Sequence, residues 1–214
     1  MMNMTRTTFA TLAAGLLILG SAACSNPADD VPAAAVSDAT TTPAPVETTG
    51  QTFKIGEGSA IMFIGSKITG QHDGGFRGFE GAINLVDQDP AKSQVHITID
   101  TTTLWADNEK LTGHLMSPDF FDVANFPTAT FTSTEIVPEG DDYKVTGTLD
   151  LHGVTRTISF PASIVVSPDG VTVNAEFSIM RFDFDIIYPG KTDDLIRDEV
   201  VIKLDLAAVP ATEA

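Results

Sequence analysis

Cysteine is almost absent from these 214 residues: Cys24 is the only one. No intramolecular disulfide can form, and no second thiol is present for redox chemistry. Positive charge is scarce as well. Twelve Lys and Arg stand against 29 Asp and Glu, a formal net charge of −17. That balance disfavours nucleic acid as a partner, because phosphate binding needs a basic face, and it disfavours electrostatic attachment to anionic headgroups. Catalytic signatures are missing too. His72, His96, His114 and His152 lie far apart, without His-x-His or His-Glu-x-x-His spacing, so the sequence indicates no metal site. There is no Gly-x-Ser-x-Gly elbow and no glycine-rich phosphate loop. The acid pairs Asp193-Asp194 and Asp198-Glu199 read as solvated loop carboxylates rather than a glycosidase pair. Nothing here asks for an enzyme or a cofactor.

What is present begins with an export signal. Residues 1–23 carry one charge, Arg6, then an apolar core at 13–20 and the small residues Ser21, Ala22 and Ala23. The pattern is that of a cleaved leader, and the core is too short to span a bilayer. Cys24 follows directly, as in bacterial lipoprotein signals where that cysteine is acylated. Multiple acyl chains hold a protein firmly to a bilayer, so the expected address is the periplasmic face of an outer membrane. Cleavage after Ala23 without lipidation, giving a soluble periplasmic protein, is the alternative. Residues 24–51 are rich in Ala, Thr, Pro and acids and have almost no bulky apolar side chain. Such a segment reads as a flexible tether whose prolines favour extension away from a membrane surface.

Residues 52–209 alternate with period two. Val95, Ile97 and Ile99 alternate with polar neighbours, as do Val145, Gly147, Leu149 and Leu151, then Ile158, Phe160, Ala162 and Ile164, then Val200, Ile202, Leu204 and Leu206. One apolar and one polar face per strand means antiparallel sheet. About eight strands are expected, in an all-β domain followed by a short tail at 210–214. Periodicity alone leaves barrel and sandwich open. Inward-facing Gly65, Gly81, Gly147, Ala162 and Ala175 either leave space along the axis or mark tight packing.

One stretch interrupts the alternation. Asp107 or Asn108 can cap a short helix over 107–116, with Leu111 and Leu115 on one face and Pro118 as its stop. Phe120, Phe121, Phe126 and Phe131 follow closely, a density that suits a lid or a core cap at the end of a β-structure.

The blocks His114-Leu115, Asp119-Phe120-Phe121-Asp122, Phe126-Pro127 and Gly147 to Thr155, with Gly75-Phe76, Phe79 and Gly81 before them and Met180-Arg181-Phe182-Asp183-Phe184 after, resemble the YceI-like family of lipid-binding proteins. Where many members have Arg-Asp before the histidine, this chain has Leu111-Thr112, and Asp185 replaces a glycine common after the arginine turn. The resemblance implies a single eight-stranded lipocalin-like barrel with an apolar tunnel. It implies non-enzymatic carriage or storage of a long-chain amphiphile, an isoprenoid such as a polyprenyl phosphate or quinone first and a fatty-acid-type lipid second. Trp105, Leu115, Phe121, Phe126, Phe131, Leu149, Leu151, Phe177 and Phe182 are the expected wall, and His114 and Arg181 the polar mouth. A filled β-domain with a structural or interaction role, a homodimer, and an enzyme acting on the bound lipid remain open alternatives.

Overall fold

The structure, a computed structural model, describes residues 26–39 and 50–211. In chain order these form a 3-10 turn (Pro27–Asp30), β1 (Ala35–Asp38), β2 (Gln51–Ile55), β3 (Ala60–Lys67), β4 (Gly70–Val86), β5 (Asp89–Ala106) and α1 (Glu109–Leu115). Then come β6 (Thr128–Glu139), β7 (Asp142–Leu151), β8 (Val154–Ser167), β9 (Gly170–Met180), a second 3-10 turn (Arg181–Phe184), β10 (Gly190–Lys191) and β11 (Asp194–Pro210).

The wall closes. Neighbouring strands run β8-β7-β6-β5-β4, then β2 and β3, then β11, and β9 completes the ring by pairing with both β11 and β8. β2 and β3 share one place, since each pairs with β4 on one side and β11 on the other. The result is a closed, eight-position antiparallel barrel with one helix, as the alternation and the resemblance together led one to expect. Closure leaves the main wall without a sheet edge. Tight turns at positive φ reverse the chain between strands. His152 and Gly153 have φ of 54° and 74°, the two left-handed positions that a two-residue hairpin needs.

Phe53, Leu85, Val171 and Leu206 fill the end of the barrel nearest the β8–β9 hairpin and are almost wholly buried. The opposite end is crossed by α1 and the loop that follows it. Asn108 caps the helix, its side chain accepting the Leu111 N–H at 3.1 Å. Thr112 Oγ1 accepts the Ala106 N–H at 2.9 Å and ties the helix back to β5. Leu115 then packs with Phe63, Leu104, Phe120 and Ile186 in a second small core.

The segment expected to be a free tether is in part a strap. Asn26 lies beside Ser66 of β3, Oδ1 to Oγ 3.5 Å, and the first 3-10 turn packs on β11. Pro32 and Ala34 then exchange backbone hydrogen bonds with Ser178 of β9, at 2.9 and 2.8 Å. Finally β1 pairs antiparallel with β8, Ala35 opposite Ser159 and Asp38 opposite Arg156. β8 and β9 pair with each other only between Ser163 and Asn174 and beyond, so residues 32–38 fill the seam where these two strands diverge. Ser66, Ser178 and Val201 alternate with inward-facing neighbours yet are buried, because the strap covers the outer face there. Alanine and valine in β1 supply backbone hydrogen bonds rather than bulk, which is why composition alone read as disorder. Cys24 and the leader lie outside the described residues.

Candidate functional site

The barrel interior is hollow. A cavity of about 710 Å³ runs along the axis from Val95, Val145 and Leu206 to α1, within the range of sites that engulf small amphiphiles. Its deep wall is entirely apolar. Phe131, Phe160 and Phe177 form a continuous aromatic face, with Phe160 and Phe177 stacked at 4.1 Å. Inward residues such as Leu149, Leu151, Val200, Ile202 and Leu204 are only partly buried, because their side chains face the cavity.

The glycine alternatives divide between positions. At Gly147 an added Cβ would stand 2.4 Å from the Phe131 ring, so this glycine is the space into which that ring lies. At Gly65 an added Cβ would meet nothing within 4 Å, and Gly65 lines the cavity. One glycine serves packing and the other serves volume.

Polar lining gathers at the α1 end. Ser66, Lys67, His72, Asn108, Lys110, His114, Arg181, Tyr188, Lys191, Asp194 and Arg197 all border the cavity. Lys67 is ion-paired with Asp194, and Thr69 Oγ1 also donates to that carboxylate at 2.9 Å. These bonds hold the Asp194 pKa below the usual carboxylate range, the Lys67 hydrogen bond contributing most. The pair clasps the β3–β4 hairpin to the start of β11. His114 is wedged edge-on between the Phe120 and Tyr188 rings, each 5.0 Å away, and its Nε2 meets Asp119 at 3.0 Å.

The two arginines at this end have different duties. Arg181 is buried, and its guanidinium donates to the carbonyls of Arg197, Ile186 and Ile196. Desolvation lowers its pKa, opposed by Asp198. It therefore borders the cavity as a brace between the second 3-10 turn and β11. Arg197 makes no ion pair among the described residues, and its Nε is buried without a hydrogen-bond partner. A buried N–H of this kind costs on the order of 1–3 kcal/mol until an acceptor reaches it.

Of the expected wall residues, Leu115, Phe121, Phe131, Leu149, Leu151 and Phe177 line the cavity, and so do His114 and Arg181. Trp105, Phe126 and Phe182 do not. β4 and β5 slip register between Phe76/Leu104 and Gly78/Asp100. Phe76 and Phe79, three apart, consequently both face the core, and Leu104 takes the inward position that alternation from Ile99 assigns to Trp105. Trp105 lies outside beneath Arg77, 5.4 Å from guanidinium carbon to ring centroid. Phe126 covers the turn at His152, 4.6 Å between centroids. In the second 3-10 turn Phe184 is fully buried while Phe182 is exposed against Arg181.

Strand reasoning missed Phe63, Phe76, Ile186, Tyr188 and Arg197 as cavity residues. Phe63 and Phe76 were legible from the alternation in β3 and the glycine-phenylalanine block. Ile186 and Tyr188 sit in irregular chain, and nothing in the sequence distinguishes Arg197 from other surface arginines.

The model of the YceI-like domain matches residues 53–208. Protein YceI of Escherichia coli O17:K52:H18 is 36% identical over 126 residues, covering 56% of this chain and 64% of that protein. The chain thus spans somewhat under two thirds of the length of that curated relative. Among solved structures, BcnA of Burkholderia cenocepacia superposes with a TM-score of 0.63 at 25% identity, over 72% of this chain and 96% of BcnA. A polyisoprenoid binding domain from Saccharophagus degradans, implicated in plant cell wall breakdown, superposes with a TM-score of 0.62 at 20% identity. That likeness covers 75% of this chain and 99% of the other. With the family's domain spanning nearly the whole barrel, from β2 to the end of β11, this chain belongs to the YceI-like family.

Proposed function

We propose that this protein binds a long-chain isoprenoid amphiphile, its tail in the barrel and an anionic headgroup, such as that of a polyprenyl phosphate, at Arg197. The observation that carries this reading is the division of the cavity: a dry aromatic and aliphatic interior, with every charged lining residue at one end. The unpartnered Arg197 Nε is the donor best placed to reward an acidic headgroup. Each buried methylene contributes about 0.8 kcal/mol, so some ten of them offset the entropy of association. A volume of about 710 Å³ accommodates a tail of that size at roughly 30 Å³ per water-sized group.

The solved relative described as a polyisoprenoid binding domain supports the choice of ligand class. The hollow interior weighs against the filled β-domain. Carriage or storage, rather than turnover, is the proposed role. Organic extraction of the purified protein followed by mass spectrometry tests it: the expected result is one isoprenoid lipid per chain. Repeated absence of lipid, with no uptake of added polyprenyl phosphate, would overturn the proposal.

A further inference from the structure

The mouth of the cavity is rimmed by exposed apolar side chains. Nine large hydrophobic residues are exposed among those described, and five of them, Ile68, Met180, Phe182, Ile187 and Leu195, belong to this one end. Ile187 is 64% exposed and Ile68 51%. Ile68 and Leu195 are backbone neighbours, the Ile68 N–H donating to the Leu195 carbonyl at 3.3 Å. Ile187 lies between Ile186 and Tyr188, both of which line the cavity, so the rim and the tunnel wall are made by the same strip of chain. Scattered single hydrophobes on a surface need no explanation, whereas a ring of them around an opening marks an interaction site.

The N-terminal strap points to the occupant. Asn26 is held against Ser66, two residues from Ile68 in the β3–β4 hairpin. Asn26 is the first described residue, so the described chain begins at this same rim. An acyl anchor on Cys24, two residues before Asn26 in sequence, would bring a bilayer to the mouth. Charge on the rim is mixed: Lys191 stands beside exposed Asp193, Asp185 is exposed nearby, and Lys67 is neutralised by Asp194.

We infer that the rim is a docking face for a phospholipid bilayer, and that it seats the open end of the barrel on the membrane so that a lipid tail passes between bilayer and cavity without crossing water. This rests on the proposed lipid-binding function. Burial of apolar side chains drives the contact, so the docking requires no anionic lipid and responds weakly to salt.

The test uses the chain from residue 24 onward with Cys24→Ser, without the apolar leader, so that the rim is read without an anchor, and flotation with phosphatidylcholine vesicles. The expected result is measurable flotation, changed less than about two-fold by 0.5 M salt, and lowered at least about ten-fold in Ile187→Asp/Leu195→Asp. A control pair at the closed end, Val137→Asp/Val165→Asp, should float like the parent. All three proteins should melt alike, because the four substituted side chains are exposed. Failure of the parent to float, or equal losses in both pairs, would overturn docking through the rim. Uptake of polyprenyl phosphate from detergent, measured on the same proteins, reports the cavity separately. A rim variant that loads normally but does not float supports docking, while a protein that floats but never loads refutes the ligand and not the face.

Discussion

Arg181 donates its Nε–H to the carbonyl oxygen of Arg197 at 2.9 Å, so the cavity's brace and its unpartnered guanidinium are built on one another. A single end of the barrel thereby separates two tasks that sequence assigns to arginine without distinction. Arg181 satisfies the carbonyl of Ile186 in irregular chain and those of Ile196 and Arg197 where β11 breaks register against β3, and Arg197 keeps an open donor at the mouth.

Exchange of the two arginines should separate stability from binding. Arg181→Ala leaves three carbonyls without their donor, at a cost of about 3 kcal/mol or more. For a domain of this size that is a fall of roughly 6–12 °C in melting temperature. Arg197→Gln should melt within about 2 °C of the parent and bind polyprenyl phosphate at least about ten-fold more weakly, by calorimetry or fluorescence. A quinone, lacking the charge, should lose far less.

Phe184 and Phe131 offer a second contrast. Phe184 is fully buried and does not border the cavity, so Phe184→Ala should cost the about 3–5 kcal/mol of a core aromatic. Phe131 and Phe121 face the cavity on one side. Their alanine variants should cost less in delipidated protein and weaken isoprenoid binding more, because ligand atoms supply the missing packing. Thermal melts with and without ligand check both halves.

Opposite outcomes are expected at two glycines. Gly147→Ala drives a methyl into the Phe131 ring and the Thr132 carbonyl, at 2.4 and 2.6 Å, and should destabilise by about 1–3 kcal/mol. Gly65→Leu enters open space. It should leave the melting temperature nearly unchanged and reduce lipid loading, measured as bound lipid per chain.

Acid should loosen the clasp between Lys67 and Asp194. The folded Asp194 pKa lies below its ordinary value, chiefly through the Lys67 hydrogen bond. Its contribution is therefore complete above the unfolded carboxylate value of about 3.9 and fades as pH falls through the lower folded value. Amide protection at Ile68, bonded to Leu195, should drop in that window when compared with Asp194→Asn, whose protection should already be low at neutral pH.

The fold was largely legible in the residues. Strands β6 to β9 and β11 repeat with period two, and the Asn108 cap and Leu111/Leu115 pair locate α1. Half of the mouth was not. A register slip at Gly78 reverses which face Leu104 and Trp105 present, and a one-residue change of parity leaves no compositional trace. The second 3-10 turn likewise sends Phe182 out and Phe184 in, although neighbouring phenylalanines look equivalent in sequence. The strap escaped because its contribution is backbone pairing at a seam between distant strands, which short side chains do not advertise.

That seam also imposes an order of events on a growing chain. Asp38 and Arg156, joined by an ion pair across the β1–β8 ladder, are separated by 118 residues of sequence. The hydrogen-bonding partners of the earliest described strand are thus made long after it, and loops of that length close slowly. Strands β4 to β7 each pair antiparallel with the strand made just before them and can assemble as they emerge. The ring closes only when β11, the last strand made, pairs with both β9 and β3, and the N-terminal segment is without its sheet until β8 and β9 exist, for most of the time the chain is being made.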